Sequence, residues 1–289
     1  MNAVLRDAHG HWRNGWKVLG FVLVLALSEA PLVFGLHALP AAVRAFVPKI
    51  ALLVGGMLLA TSACLKAEGA SFASVGLRLD ARFARQLSVG AAIGVGLLLG
   101  AAVLVWLCGG FDFIGATRET HLFKGAAIEL GIAVLEELAY RGYAFQRAIR
   151  GLGFRNAQIV FALLFVASHP LDAGMSVPAM AFAMLNIFTF AIALGLLYAR
   201  TGSLAVPIGL HAGWNWALQG LGFGVSGIAS QGWLTPVYAG LPDWITGGPF
   251  GLEASGLTFA LLLAATGALM RCKPGDAAMD ESPTTVPPT

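Results

Sequence analysis

The sequence predicts an all-α, polytopic membrane protein with about eight transmembrane helices and both termini in the cytoplasm. Three observations predict it. Of 289 residues, 57% are hydrophobic and only 11% charged, far from the balance of a water-soluble domain. Several apolar runs approach the roughly 20 residues that span a bilayer as a helix. The basic residues between those runs fall mostly on one side of the membrane when the runs are threaded across it. Helices are the expected spanning elements because lipid offers no partner to an unpaired backbone group. A net charge of +3, scattered along the chain, does not point to a nucleic-acid partner. Cys64, Cys108 and Cys272 match neither a disulfide framework nor zinc-ligand spacing and read as small apolar fillers.

Residues 1–17 form a polar, basic cytoplasmic tail with Arg6, Arg13 and Lys17. The first run, Val18–Leu36, carries Glu29 and Pro31 and lacks a small-x-small cleavage site, so it reads as an anchor and not as a signal peptide. Further spans fall at Ile50–Leu65, Leu87–Cys108, Gly125–Phe145, Ala157–His169, Val177–Tyr198, Leu204–Leu221 and Gly256–Met270. Residues 18–271 thus make one transmembrane domain. The loop from Gly222 to Glu253 is rich in Gly, Pro and Trp, with Trp233 and Trp244 as interfacial anchors. Residues 272–289, rich in Asp, Ser, Thr and Pro, read as a disordered cytoplasmic tail. No internal repeat is visible. With the N-terminus inside, thirteen basic residues lie on the cytoplasmic side and only Arg44, Lys49, Arg118 and Lys124 opposite, a strong inside excess.

Within these spans the stretch Glu136-Glu137-Leu138-Ala139-Tyr140-Arg141-Gly142 stands out. A charge at the bilayer centre costs roughly 2.5–3.5 kcal/mol on insertion scales, so such residues usually have a function. Glu137 and Arg141 are four apart and pair along one helix face, while Glu136 lies about 100° round the axis. One carboxylate is thereby neutralised and the other left to act; the competing reading is a buried structural ion pair. Two other spans hide polar residues. Phe165-Val166-Ala167-Ser168-His169 ends the fifth, and His211-Ala212-Gly213-Trp214-Asn215 puts a histidine and an asparagine on one face of the seventh. Counted at 1.5 Å per helical residue, Glu136 lies about 16 Å from Arg147, His169 about 21 Å from Arg155, and His211 about 16 Å from Arg200. Three helices therefore bring Glu, His, His and Asn to a similar depth.

A carboxylate and an imidazole can hold a water and take its proton. A second imidazole with an asparagine amide can donate to a developing oxyanion. Together these are the parts for amide hydrolysis without a covalent intermediate.

The motifs Glu136-Glu137-x-x-x-Arg141, Phe165-x-x-x-His169 and His211-x-x-x-Asn215, in that order, resemble the CPBP family of intramembrane proteases, which includes the Ras-converting CAAX endoprotease and the Abi and bacteriocin-processing proteins. The resemblance covers roughly residues 126–221, including the lead-in Tyr198-Ala199-Arg200-Thr201-Gly202-Ser203-Leu204, with no departure at the named positions. It implies Glu136 as general base helped by His169, Glu137 held by Arg141 in support, and His211 with Asn215 as the oxyanion site. Two Glu and two His give the family its frequent metalloprotease label; zinc would use Glu136, His169 and His211. A metal-free, glutamate-activated water is favoured, because the His-Glu-x-x-His clamp is absent and Arg141 competes with a cation. No cofactor is then needed. The implied partners are the lipid bilayer and a membrane-associated protein or peptide substrate.

Glu129, seven residues before Glu136, reads as structural or as lining an access path. Glu29 and Asn186 read as helix caps or cross-links, and His9, His11, His37 and His121 as solvated or interfacial. Two other functions use similar parts: a proton-coupled transporter, since intramembrane Glu, His and Arg also build proton relays, and a non-catalytic bacteriocin-immunity or binding protein on the same scaffold. The Ala- and Gly-rich composition points to a multi-pass protein of a bacterial inner membrane.

Overall fold

The computed structural model describes residues 4–6, 10, 12–44, 48–116, 122–171, 174–229 and 232–271. His9, His11, His121, Cys272 and the tail 272–289 lie outside the described residues. The helices are α1 (Asn14–Ala38), α2 (Ala41–Arg44), α3 (Lys49–Ala67), α4 (Ala81–Leu107), α5 (Leu122–Arg141), α6 (Tyr143–Leu152), α7 (Phe154–Ala167), α8 (Val177–Thr201), α9 (Ala205–Gly220), α10 (Asp243–Thr246) and α11 (Gly256–Arg271). Among them α1, α3, α4 and α8 are long and apolar enough to cross a membrane, and α7 and α11 are shorter apolar helices. Helices of this length and apolarity mark a membrane protein. Each of the eight expected spans meets a helix, but only four have full spanning length and composition among the described residues.

Local chemistry sets several helix ends. Asp80 caps α4 by accepting from the Phe83 N–H at 2.8 Å, and Ser176 caps α8 by accepting from the Ala179 N–H at 3.3 Å. Large apolar side chains point outward along the long helices, among them Leu27 at 74% and Phe34 at 75% exposure. Such surfaces suit lipid better than water.

The structure corrects four expectations. The span expected over Gly125–Phe145 stops at Arg141, because Gly142 breaks it and the chain turns into α6. A Cβ on Gly142 would stand 2.2 Å from the Leu138 carbonyl oxygen, so only glycine fits this corner. Glu136 and Arg147 therefore do not lie along one straight helix, and the depth expected from that count does not apply. The fold is also not purely helical: β1 (Phe111–Ala116) pairs antiparallel with β2 (Leu234–Tyr238), in a register of Phe111 with Tyr238 and Phe113 with Pro236. The described residues from Gly222 to Glu253 hold β2, α10 and short 3₁₀ turns; Trp233 and Trp244 are partly exposed, and Trp244 stacks on Phe182. Cys64 is half-buried as a filler, whereas Cys108 is exposed.

The helix that positions the site is α9, seated against α4. Gly90 and Gly94 of α4 meet Val206 and Leu210 of α9, while Gly209 and Gly213 of α9 meet Leu87 and Ala91 of α4. Small residues at every fourth position let the two backbones touch, which is how helices associate where no hydrophobic effect drives them. A Cβ on Gly94 would lie 2.1 Å from the Leu210 carbonyl oxygen. Gly94→Ala should therefore cost roughly 1–3 kcal/mol by overpacking and disturb His211, the next residue on α9. Gly96→Ala is the control, since its Cβ would meet nothing within 4 Å. Equal melting temperatures for the two variants in detergent would contradict this packing.

Candidate active site

Helix α5 brings Glu129, Glu136, Glu137 and Arg141; the end of α7 brings His169; α9 brings His211 and Asn215. Glu137 is fully buried, and its Oε1 accepts from Arg141 Nη1 at 2.9 Å and contacts His211 Nδ1 at 3.0 Å. Arg141 spends its second terminal nitrogen on the Ala191 carbonyl oxygen of α8 at 2.9 Å, with its guanidinium over the Phe165 ring. Gln158 of α7 donates to the same Ala191 carbonyl at 3.0 Å. Charge, carbonyl and ring together hold the guanidinium in place, and through it the Glu137 carboxylate.

That anion orients His211. With Nδ1–H donating to Glu137, Nε2 points to Glu136, whose Oε2 lies 3.6 Å away. This is beyond hydrogen-bond length, and Glu136 Oε2 has no hydrogen-bond partner. Glu136 is also the more exposed of the two carboxylates, its side chain 29% accessible against 0% for Glu137.

His169 is half-buried, and its Nδ1 sits 2.6 Å from the Phe165 carbonyl oxygen one turn back. A carbonyl only accepts, so Nδ1 carries a proton and Nε2 of the neutral ring is the basic nitrogen. No direct hydrogen bond joins His169 to Glu136 among the described residues; the two meet only across a cavity. Asn215, buried beside Trp214, contacts the Glu129 carboxylate.

The cavity, about 310 Å³, is lined by Glu136, His169, His211 and Asn215. Its remaining wall is largely apolar, from Ile50, Leu53, Ile132, Phe165, Ile187 and Phe190. Glu129 is buried against Asn215, outside the lining of this cavity.

Asn186 takes the cross-linking role its place in the sequence suggests, whereas Glu253 escaped sequence reasoning. Asn186 cross-links α8 to the segment before α11, its Nδ2 donating to the carbonyls of Glu253 at 2.8 Å and Ser255 at 3.0 Å. Glu253 accepts from Trp214 Nε1 at 3.1 Å and from the Ser226 N–H at 2.7 Å, fastening a strap across the far side of the cavity. Nothing local in a glycine- and proline-rich loop marks Glu253; an acidic residue there looks solvated. Phe165 had a signal, its place four residues before His169. It packs against Tyr140, His169 and His211 with ring centroids 4.9, 4.6 and 6.1 Å away.

Among the described residues no three His, Cys, Asp or Glu groups stand together as an ion's ligand set, Glu136, His169 and His211 included. The Nδ1 atoms of both histidines are held by Glu137 and the Phe165 carbonyl, which leaves each Nε2 as the nitrogen that could face a ligand, and Arg141 already neutralises Glu137.

Residues 118–217 match the family model described as type II CAAX prenyl endopeptidase Rce1-like. A search of curated proteins finds no match. The matched stretch begins just before α5 and ends within α9, so it contains all six residues Glu136, Glu137, Arg141, His169, His211 and Asn215. That match, over helices that build the cavity, supports assigning residues 118–217 of this membrane protein to the CAAX-type proteases of the CPBP family.

Proposed function

We propose that the protein is a multi-pass intramembrane endopeptidase that hydrolyses peptide bonds of a membrane-associated protein or peptide, using a water activated by Glu136. The observation that carries this reading is that Glu136, His169, His211 and Asn215 line one largely apolar cavity. Glu136 has an unpartnered oxygen facing that space and takes the proton from water; His169, basic at Nε2, helps to hold the water. The resulting hydroxide attacks the scissile carbonyl carbon, and the carbonyl electron pair moves to oxygen. The Asn215 amide donates to this oxyanion. His211 Nε2 joins it when the ring carries both protons, the Nδ1 proton resting on Glu137 and the imidazolium sitting between two carboxylates. Collapse of the intermediate breaks the C–N bond, and the proton on Glu136 passes to the leaving amine.

Arg141 and Glu137 support this set without touching the reacting atoms. The domain boundaries we propose are 126–221 for the protease core and 18–271 for the transmembrane domain. Both termini lie in the cytoplasm, in line with the charge bias, and the protein sits in a bacterial inner membrane, in line with its Ala- and Gly-rich composition. The matched family is titled for prenylated CAAX sequences. For this chain we propose the wider class, polypeptides whose apolar segment or lipid anchor delivers the scissile bond into the cavity.

The test compares membrane-protein fragments generated in detergent by the purified protein and by its Glu136→Gln variant. Fragments that appear only with the wild type support the enzyme; identical fragment sets would end the protease reading. The same preparation tests the metal. Activity should survive prolonged chelation, with less than one equivalent of zinc by elemental analysis. One tight zinc per chain, with activity lost on removal and restored on return, would overturn the metal-free step while leaving a protease standing.

A further inference from the structure

A second cavity, about 860 Å³, opens where the start of α1 meets α6 and α7, and shares no lining residue with the first. Its two ends differ chemically. One end is apolar, formed by Val18 and Leu19 of α1 with Val160, Phe161 and Leu164 of α7. It runs into an outward-facing apolar strip, where Ile159 is 42%, Leu163 56% and Leu164 51% exposed. The other end is cationic, formed by Arg13, Lys17 and Arg147, with the first turn of α1 between them.

Two independent features point to an anion at the cationic end. Helix α1 carries no side-chain cap at its N-terminus, where Asn14 and Gly15 line the cavity. Such a helix end favours negative charge. Arg147 is 1% exposed, and its Nε and Nη2 bind Glu68, but its Nη1 is buried without a hydrogen-bond partner. A guanidinium can use its remaining donor on a phosphate oxygen. Among the described residues the anion already there, Glu68, does not fill the need. Glu68 accepts from Arg147 and Tyr143 and pairs with Lys17 at 3.3 Å. Burial pushes its carboxyl up, but the hydrogen bonds from Arg147 and Tyr143 and the charges of Arg147 and Lys17 outweigh that and hold it below the usual carboxylate value. Glu68 is therefore a committed partner, one carboxylate shared among two cations and a phenol.

We propose that this groove binds an anionic phospholipid, its phosphate among Arg13, Lys17 and Arg147 and an acyl chain along α7. A free anion would have no use for the apolar end, and a neutral lipid none for the cationic end. Trp12 and Trp16, 49% and 39% exposed at the rim, are the residues that settle at a membrane–water interface. The bound lipid would tie α1 to α6, the helix that follows directly from the one carrying Glu136. The proposal does not rest on proteolysis and is tested without it.

The test uses the full chain in detergent, with native mass spectrometry to count retained lipid and melting curves to follow folding. The probes are dioleoyl phosphatidylglycerol, dioleoyl phosphatidylcholine and inorganic phosphate. Phosphatidylglycerol should be retained at about one per chain and raise the melting temperature, with phosphatidylcholine at least about tenfold weaker. Arg13→Gln with Lys17→Gln should weaken phosphatidylglycerol by about tenfold or more. Val160→Trp leaves every charge in place and fills the apolar end; it should also expel the lipid, and it keeps the test open if the double variant unfolds. Equal retention of the two lipids, or undiminished retention by a folded variant, would overturn the proposal. Stabilisation by inorganic phosphate equal to that by phosphatidylglycerol would reveal a free-anion site and overturn the lipid assignment.

Discussion

Replacing Glu136 with Gln is expected to lower kcat by about 10²–10⁴-fold, the usual contribution of a general base, with the melting temperature nearly unchanged. The reason is structural. Glu136 Oε2 makes no hydrogen bond, and His211 Nε2 stands 3.6 Å away, so an amide in its place breaks no strong contact. Gln keeps the size and removes only the ability to accept a proton. Glu137→Gln should behave differently, because it weakens the Arg141 pair and the His211 contact together, and stability falls with activity. Turnover by folded Glu136→Gln within about threefold of wild type would exclude Glu136 as the base, since that is below the range for general-base catalysis.

The second large effect is on stability. Arg141→Ala leaves Glu137, fully buried, without its cation. Removing one partner of such a pair typically costs roughly 3–5 kcal/mol, because the charge left behind is neither solvated nor matched. The Ala191 carbonyl keeps Gln158 as a donor, so the loss concentrates on the carboxylate. Adding Glu137→Gln to Arg141→Ala should recover part of the stability, measured as the unfolding midpoint in detergent. The size of the recovery is the coupling between the two residues. Strictly additive losses would mean that they do not stabilise each other, whatever their 2.9 Å contact.

Composition and periodicity alone established the class of molecule and the pair at its centre. A chain with 57% hydrophobic residues must be mostly apolar helix, and the eight runs each meet one. The four-residue spacing of Glu137 and Arg141 implies their contact, because helix geometry is local. The three motifs were legible as a set for the same reason: each lies within one helix or at its end.

What lay beyond the sequence depends on contacts between segments far apart in the chain. The spacing separates the two carboxylates by an angle but does not say which one faces the cavity. That was decided when α9 docked on α4 through paired glycines and turned His211 Nδ1 toward Glu137. The helix break at Gly142 is a matter of one Cβ against the Leu138 carbonyl, too small a feature for an apolar pattern to carry. Glu253 lies 39 residues from Trp214 and Asn186 donates 67 residues ahead to its carbonyl, so neither partnership has any local signature. The cationic groove is of the same kind. Lys17, Glu68 and Arg147 look like ordinary solvated charges at span ends, and only the packing of α1 against α3 and α6 brings them together. Sequence periodicity specifies where a side chain sits along and around its own helix. Which donor meets which acceptor follows from how the helices cross, and that is settled by non-local packing.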